Sequence, residues 1–269
     1  MNPTVTFIGG GNMARSLIAG LITAGTPATQ IEVIEPVDAQ RAHLATDFGV
    51  RTASSIAQAE LAGATWVLAV KPQVMAAVCR ELAPRLSAGQ RVLSIAAGLT
   101  TARLQQWLGD QARIIRAMPN TPALLGAGMT GLYAGTGVDA QDREAAMQIA
   151  RAAGQVSWID DESLMDAVTA VSGSGPAYVF ALAEAMEAAA IHQGLAAATA
   201  RELVIHTLLG ASRMLVESGR SPEALRVAVT SPNGTTQAAL ETLAAGGLDS
   251  LVNEAIAAAT RRGRELSSL

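Results

Sequence analysis

A short apolar run near the start of the chain is followed at once by a glycine-rich turn and a helical pattern. Residues 5–8 form the run, and the turn has the spacing G-x-G-x-x-A at Gly9, Gly11 and Ala14. In a strand–turn–helix unit this spacing permits a tight turn, close approach of a pyrophosphate and close helix packing. The helix amino terminus then faces the phosphates. The alternative is a purely structural glycine turn. The pattern predicts a dinucleotide-binding loop formed by Gly9, Gly10, Gly11, Asn12, Met13 and Ala14.

Residues 1–160 alternate apolar, β-branched runs with helical patterns. Continuous apolar strands separated by crossover helices are typical of a parallel sheet that is covered on both faces. The sequence therefore predicts an α/β fold, a Rossmann-type, doubly wound and mostly parallel sheet. The predicted strands are 5–8, 31–34, 65–70, 91–95, 114–117, 129–133 and 156–159.

The strand pattern stops at Asp160, and the sequence after it has a helical pattern and is rich in alanine. We expect two domains: a dinucleotide-binding domain at 1–160 and an all-α domain for substrate binding and dimerisation at 161–269. Helices built from small side chains bury little apolar area per residue. This favours a homodimer or larger homo-oligomer through the carboxy-terminal half, unless these helices simply pack on the first domain.

Composition argues against several classes of protein. The net charge is −4 and 3% of residues are aromatic, which does not favour nucleic-acid binding. The uncharged stretch 117–138 is interrupted by Pro119 and Pro122, so it is not a membrane helix. Residues 1–4 lack the pattern of a signal peptide. One cysteine, Cys79, makes neither an internal disulfide nor a cysteine metal cluster. We expect a cytoplasmic protein with neither nucleic-acid nor membrane partners.

Glu35 follows the second predicted strand, where a Rossmann-type fold meets the adenosine ribose. A carboxylate there accepts hydrogen bonds from both ribose hydroxyls and repels a 2′-phosphate, which favours NAD(H) over NADP(H). Two alternatives stay open: Arg15 and Arg41 supply phosphate contacts, or Glu35, followed by Pro36, turns outward as a solvated loop residue.

Three further segments reach the carboxyl edge of the sheet, where ligands of open α/β folds bind. They are Ala69-Val70-Lys71-Pro72, Ala96-Ala97-Gly98 and residues 118–122. Lys71 is the only lysine among 19 basic residues. Small side chains at this edge leave room for a nicotinamide ring, although each segment by itself is also compatible with an ordinary turn or helix cap.

Two glycine-bearing segments, 172–176 and 230–236, precede helices in the carboxy-terminal half. Free amides at a helix start suit a substrate carboxylate, and threonine hydroxyls donate or accept hydrogen bonds; ordinary capped helix starts are the alternative. His43, His192 and His206 have neither zinc-ligand spacing nor an acid partner, so we predict no metal site. The chemistry should need little acid–base machinery from the protein.

Five motifs in this order resemble the pyrroline-5-carboxylate reductase family. They are FIGGGNMA at 7–14, AVKPQ at 69–73, RAMPNTP at 116–122, SGSGPAY at 172–178 and TSPNGTT at 230–236. The first is generic to dinucleotide enzymes, and the last is the most specific to the family. The resemblance implies reduction of 1-pyrroline-5-carboxylate to L-proline with NAD(P)H, the last step of proline biosynthesis.

The resemblance also implies roles for individual residues. Amides around Ser231, Gly234 and Thr235 hold the substrate carboxylate, and Thr236 places its hydroxyl near the imine nitrogen as the catalytic hydrogen-bond partner. Ala69, Val70, Lys71, Pro72, Ala96 and Ala97 line the cofactor. Family members dimerise through the helical domain. Those that prefer NADPH often carry small polar or basic residues after the second strand. Glu35-Pro36 departs from this pattern, so both cofactors stay possible, with a leaning to NAD(H).

Two other classes share parts of this pattern. A reductase of another imine or a β-hydroxyacid dehydrogenase shares the sheet domain, but a hydroxyacid enzyme needs a lysine base in its helical domain, which here has no lysine. A dinucleotide sensor without catalytic activity keeps the glycine loop but has no need of the 231–236 segment. The presence of both features favours a reductase.

Overall fold

The structure, a computed structural model, describes residues 5–60 and 63–268. Residues 1–4, to which the signal-peptide inference applies, lie outside the described residues. The chain forms two compact units. One extends to Ser174 and includes the chain again from Ala258; the other is Gly175–Ala257.

The first unit is built on a mostly parallel sheet of eight described strands. They are β1 (Val5–Ile8), β2 (Ile31–Ile34), β3 (Arg51–Ala53), β4 (Thr65–Leu68), β5 (Arg91–Ser94), β6 (Arg113–Met118), β7 (Gly128–Ala134) and β8 (Gly154–Trp158). Their order is β3-β2-β1-β4-β5-β6-β7-β8, and only the β6–β7 pair is antiparallel. The predicted Rossmann-type, doubly wound fold class is confirmed.

Helices cover both faces of this sheet because its central strands are apolar on both sides. They are α1 (Asn12–Thr23), α2 (Asp38–Phe48), α3 (Pro72–Leu82), α4 (Thr101–Leu108) and α5 (Ala140–Arg151). One apolar layer joins Phe7 and Val33 to Leu17 of α1. The other joins Trp66 and Leu68 of β4 to helices on the opposite face. Two such layers on one sheet leave its carboxyl edge free for loops.

Helices make up the chain after β8. After a short 3₁₀ turn (Glu162–Leu164) come α6 (Met165–Val168) and a π-helical turn (Thr169–Gly173). The helices α7 (Gly175–His192), α8 (Ala197–Glu217), α9 (Pro222–Ala228), α10 (Thr235–Ala245) and α11 (Leu248–Ser268) follow. Helix α11 begins in the second unit, and its last turns belong to the first.

Besides shifts of one or two residues at strand ends, two features differ from the sequence prediction. Strand β3 was not predicted, because it has only three residues, lies at the edge of the sheet and is partly exposed, so it carries no clear apolar signal. The first compact unit extends beyond the expected boundary at residue 160. The physical reason is Glu162, whose carboxylate accepts hydrogen bonds from Thr101 and pairs with Arg116.

Three buried polar side chains lie side by side on the sheet without full hydrogen bonding. In register, Thr6 of β1 is flanked by Glu32 of β2 and Trp66 of β4. Within the described ranges 5–60 and 63–268, Thr6 Oγ1, Glu32 Oε2 and Trp66 Nε1 have no hydrogen-bond partner. Burial raises the pKa of the Glu32 carboxyl, against smaller lowering effects of the Glu60 amide and the Arg51 charge. Ionised Glu32 therefore lowers the stability of the folded chain.

We expect Glu32→Gln to increase the free energy of unfolding at pH 7 by about 1 kcal/mol, because it removes a buried charge. A raised folded-state pKa means that wild-type stability falls as pH rises from the ordinary glutamate pKa through the folded one. In Glu32→Gln, the free energy of unfolding should therefore change less with pH over this range. Urea unfolding between pH 4 and 8 checks this, with exposed Glu144→Gln as the matched control. Equal profiles for wild type and Glu32→Gln would contradict the assignment.

Candidate active site

The glycine loop after β1 is held between the ends of two neighbouring strands. Gly9 has φ +98°, and a Cβ atom on it would lie 2.7 Å from the carbonyl oxygen of Ala69. Its amide donates to the carbonyl of Ile34 at 2.8 Å. Only glycine combines this conformation with this approach. The loop is thereby fixed at the carboxyl edge of the sheet.

The start of helix α1 is where the sequence predicts the phosphate site. Gly11 is the residue before the helix, and the space where its Cβ would lie is open. Asn12 is exposed, Met13 is half-buried, and Ala14 is buried at 1% exposure against the sheet. The first amides of a helix have no intrahelical acceptor, and they lie at the positive end of its dipole. These residues therefore fit a dinucleotide pyrophosphate.

Glu35 is fixed against the glycine loop. Its Oε2 accepts a hydrogen bond from the amide of Gly10 at 2.9 Å, and its Oε1 accepts one from Val37 at 3.0 Å. Glu35 is only 7% exposed. The alternative that it turns outward as a solvated loop residue is therefore wrong. The carboxylate lies at the end of β2, where the sequence predicts the adenosine ribose.

Both arginines considered as phosphate ligands are engaged within the protein. Arg15 forms an ion pair with Asp47 and lies over the ring of Phe48. Arg41 pairs with Asp38 and donates to the main-chain oxygen of Glu35 at 2.7 Å. Neither guanidinium is free to receive a 2′-phosphate without giving up a partner.

The segment after β4 turns directly into helix α3. Ala69 and Val70 are half-buried, and Lys71 is the exposed residue before the helix. Pro72 stands in the first turn, where no amide bond is lost. Among residues 5–60 and 63–268, no carboxylate forms an ion pair with Lys71. Its ammonium is therefore available to an anionic ligand.

A cavity of about 480 Å³ lies at this edge and includes part of the predicted cofactor lining. Its volume is within the usual range of ligand pockets. The predicted residues on its wall are Pro72 and Ala97, whereas Ala96 is buried beneath. Gln73 and Gly98 also line the cavity and belong to segments that the sequence analysis placed at this edge. The sequence did not point to the other lining residues, which are Leu99, Arg103, Trp107, Asp166, Thr169, Gly263, Leu266 and Ser267.

Asn120 connects two of the motifs that carry the family resemblance. Its side-chain nitrogen donates to the carbonyl of Ser172 at 3.0 Å, and its side-chain oxygen accepts from the amide of Met129 at 2.9 Å. Ser172 belongs to the π-helical turn before α7. Turns of this kind are frequent at functional sites. Asn120 thus connects the motif at 116–122 to Ser172, the first residue of the motif at 172–176, within the first unit.

In the second unit, the 230–236 segment forms a tight turn into helix α10. Asn233 has φ +58°, and the amide of Gly234 donates to the carbonyl of Ser231 at 3.0 Å. Ser231 and Thr235 are exposed, and Thr236 is half-buried. Among the described residues, neither threonine hydroxyl has a hydrogen-bond partner. The turn offers the free amides of a helix start together with two free hydroxyls.

Other chemical groups are not arranged for catalysis. His43, His192 and His206 are exposed on helices. The described part of the chain contains no cluster of three metal-ligating side chains. Burial raises the pKa of the Cys79 thiol to about 12, so it is not a nucleophile. None of the described helices has both the length and the apolar character needed to span a membrane.

The fold and the glycine loop define a nicotinamide-dinucleotide-dependent oxidoreductase with a helical second unit. Residues 162–266 match the model for pyrroline-5-carboxylate reductase dimerisation, and residues 4–98 match that for NADP oxidoreductase, coenzyme F420-dependent. The chain is 49% identical to the pyrroline-5-carboxylate reductase of Pseudomonas aeruginosa over 98% of this chain and 97% of that protein. It belongs to the pyrroline-5-carboxylate reductase family.

Solved structures agree with this assignment. The structure of a pyrroline-5-carboxylate reductase from Coxiella burnetii is similar with a TM-score of 0.95 and 43% identity, covering 98% of each chain. The Plasmodium falciparum pyrroline carboxylate reductase, solved with NADP bound, has a TM-score of 0.86 at 27% identity and 98% coverage of each chain. The chain therefore carries the fold of the family over nearly its whole length, including the dimerisation domain.

Proposed function

We propose that this chain reduces 1-pyrroline-5-carboxylate to L-proline with NAD(P)H. The observation that carries the proposal is the presence of two separate ligand elements in one chain. One is a dinucleotide loop that only glycine can form, and the other is an anion-binding turn with free hydroxyls at 230–236. A dinucleotide sensor has no need of the second element, and the full-length family membership names the substrate.

The first unit holds the cofactor. Gly10, Gly11, Asn12 and Met13 surround the pyrophosphate, and Glu35 binds the adenosine ribose. Ala69, Val70, Lys71, Pro72 and Ala97 line the remainder, with Ala96 packed behind them. A bound nicotinamide supplies the hydride. The small side chains along this edge leave space for its ring, and the rigid loops fix its orientation.

The second unit holds the substrate. The amides at Thr235 and Thr236, next to Ser231 and Gly234, bind the ring carboxylate, because the first amides of α10 have no intrahelical acceptor and lie at the positive end of the helix dipole. The hydroxyl of Thr236 is the hydrogen-bond partner of the imine nitrogen: it donates to the nitrogen of a neutral imine, and it accepts from the N–H of an imine that enters protonated. A protonated imine is already an electrophile, so orientation provides much of the catalysis and no strong base is needed. This is consistent with the exposed positions of the histidines.

A coupled assay tests this function. Purified protein is mixed with 1-pyrroline-5-carboxylate and either NADH or NADPH, cofactor oxidation is followed by absorbance, and proline is quantified separately. We expect proline to form in equal amount to the cofactor oxidised. Oxidation without proline, or no reaction with either cofactor, would contradict the proposal.

The cytoplasmic location inferred from the sequence remains part of the proposal, and fractionation of cells that express the chain checks it.

We further propose that two copies associate through the helical unit. Among the described apolar residues of this unit only Ala200, Val204 and Leu225 are buried, which is too few for a stable core. Its large apolar side chains are instead exposed, including Val179, Phe180, Leu182, Leu203, Leu209, Met214, Val216, Leu251 and Val252. A surface of this kind is typical of an obligate interface.

We expect sedimentation velocity at micromolar concentration to show a species of at least twice 27.5 kDa. Phe180→Arg should lower the assembly size or the yield of folded protein, because it places a charge in the interface. Leu125→Arg is the matched control, since Leu125 is 87% exposed on the sheet unit. A stable monomeric wild type would contradict the dimer, and equal effects of both substitutions would contradict the helical interface.

A further inference from the structure

A buried arginine in β6 connects the sheet to the end of the chain. Arg116 is only 3% exposed, and its guanidinium contacts Glu162 at 3.3 Å and Asp166 at 3.8 Å. A buried cation requires such partners, because removing it from water is costly. The Glu162 carboxylate also accepts from the amide and hydroxyl of Thr101, at 2.7 and 2.6 Å. Arg116 thus joins the sheet, the start of α4 and helix α6.

Asp166 contacts the last turns of α11. The hydroxyl of Ser267 donates to Asp166 Oδ1 at 3.3 Å. Gly263 passes so close that a Cβ atom there would lie 3.1 Å from the same oxygen. Any side chain at this position therefore displaces Asp166 by a few tenths of an ångström. Glycine is a poor helix former, so its presence inside α11 indicates that the close approach matters.

The same turn of α11 packs on the loop after β5. A Cβ atom built on Gly98 would lie 3.6 Å from Cβ of Leu266, an ordinary packing distance. This loop follows a central strand at the carboxyl edge, where ligands of open α/β folds bind. The 480 Å³ cavity is lined by Ala97 and Gly98 on one side and by Asp166 and Leu266 on another.

We propose that Arg116 and Asp166 are positioning residues for the nicotinamide ring. They fix the last turn of α11, and that turn fixes the Ala97–Gly98 loop against which the ring lies. The inference rests on the proposed function, in that the dinucleotide is the ligand of this edge. Neither side chain is required to touch the reacting atoms. Their effect on the rate comes through the orientation of the cofactor.

A graded series at Gly263 tests this proposal. Gly263→Ala should raise the dissociation constant for the preferred nicotinamide cofactor about threefold, and Gly263→Val about tenfold, since small displacements in an oriented site have large effects on rate and binding. The KM for 1-pyrroline-5-carboxylate should stay within about twofold, because the substrate turn at 230–236 is unchanged. Alanine is the better helix former, so the melting temperature of Gly263→Ala should not fall.

Two more variants complete the design. Asp166→Asn keeps the size of the side chain but removes its charge, and it should also raise the dissociation constant for the cofactor. If the Gly263 variants do not fold, this variant alone tests the positioning role. Arg113→Gln is the matched control, because Arg113 forms ion pairs with Asp139 and Asp142 at the opposite end of the same strand. It should leave cofactor affinity unchanged.

The experiment distinguishes failure of the positioning role from failure of the proposed function. Cofactor affinity is measured by calorimetry without substrate, so it does not depend on which imine is reduced. Cofactor affinities within twofold of wild type across the Gly263 series and Asp166→Asn would overturn the positioning role. An equal change in Arg113→Gln would overturn it as well. An inactive wild type that binds NADH would instead contradict the proposed substrate.

Discussion

Replacing Thr236 by alanine should lower kcat for 1-pyrroline-5-carboxylate reduction roughly 100-fold, within the range measured for loss of a proton-donating group. The hydroxyl of Thr236 has no partner among the described residues, so it is free to bond the imine nitrogen. The residue stands in the first turn of α10, where the helix fixes its position. The dissociation constant for the cofactor should change less than about twofold, since Thr236 lies outside the glycine loop unit.

Steady-state kinetics together with cofactor titration check this prediction. Thr236→Ser is the matched control, because it keeps the hydroxyl and loses only a methyl group, and it should retain most of the activity. The neighbouring Thr235→Ala should act mainly on the KM for the substrate, since Thr235 is assigned to the carboxylate. Near-normal turnover in Thr236→Ala would refute the role of Thr236 as hydrogen-bond partner of the imine.

Replacing Glu35 by serine should shift the ratio of kcat/KM for NADH to that for NADPH at least about tenfold towards NADPH, as loss of a close charge repulsion predicts. The amides of Gly10 and Val37 hold the carboxylate. It therefore cannot move away from a 2′-phosphate without leaving buried donors unpaired. We expect the wild type to use NADH at least comparably to NADPH.

The control for this prediction separates charge from shape. Glu35→Gln keeps the length of the side chain and an acceptor oxygen, so it should shift the preference in the same direction with less change in NADH binding. Parallel kinetics with both cofactors on the three proteins give the answer. A much higher efficiency with NADPH in the wild type, unchanged in Glu35→Ser, would contradict contact between Glu35 and the ribose.

Sequence patterns predict the sheet well because its strands are covered on both faces. The runs at 5–8 and 31–34 match β1 and β2 at both ends, because a strand that is buried along its whole length needs a continuous run of apolar residues. The run at 65–70 extends two residues beyond β4. Those two residues, Ala69 and Val70, are apolar for another reason, because they form the loop at the sheet edge. Strand β3 lacked this signal altogether because it is short and marginal.

Only part of the candidate site can be predicted from the sequence. The glycine loop and the turn before α10 are local motifs, so their residues are adjacent in the chain and their spacing can be recognised. Asp166 and Gly263, by contrast, approach each other only after folding, and neither belongs to a short motif. The hydrogen bond from the Gly10 amide to Glu35 is of the same kind, because these two residues are distant in sequence. Such contacts follow from the sheet order rather than from spacing.

Direct hydride transfer from the cofactor to the substrate can be followed with an isotope label. The protein is incubated with 1-pyrroline-5-carboxylate and NADH or NADPH deuterated at the transferred C4 position, and the proline formed is analysed by mass spectrometry and NMR. We expect L-proline that carries one deuterium at the carbon that was double-bonded to the imine nitrogen. Unlabelled proline, or deuterium lost from the cofactor without labelled proline, would contradict it.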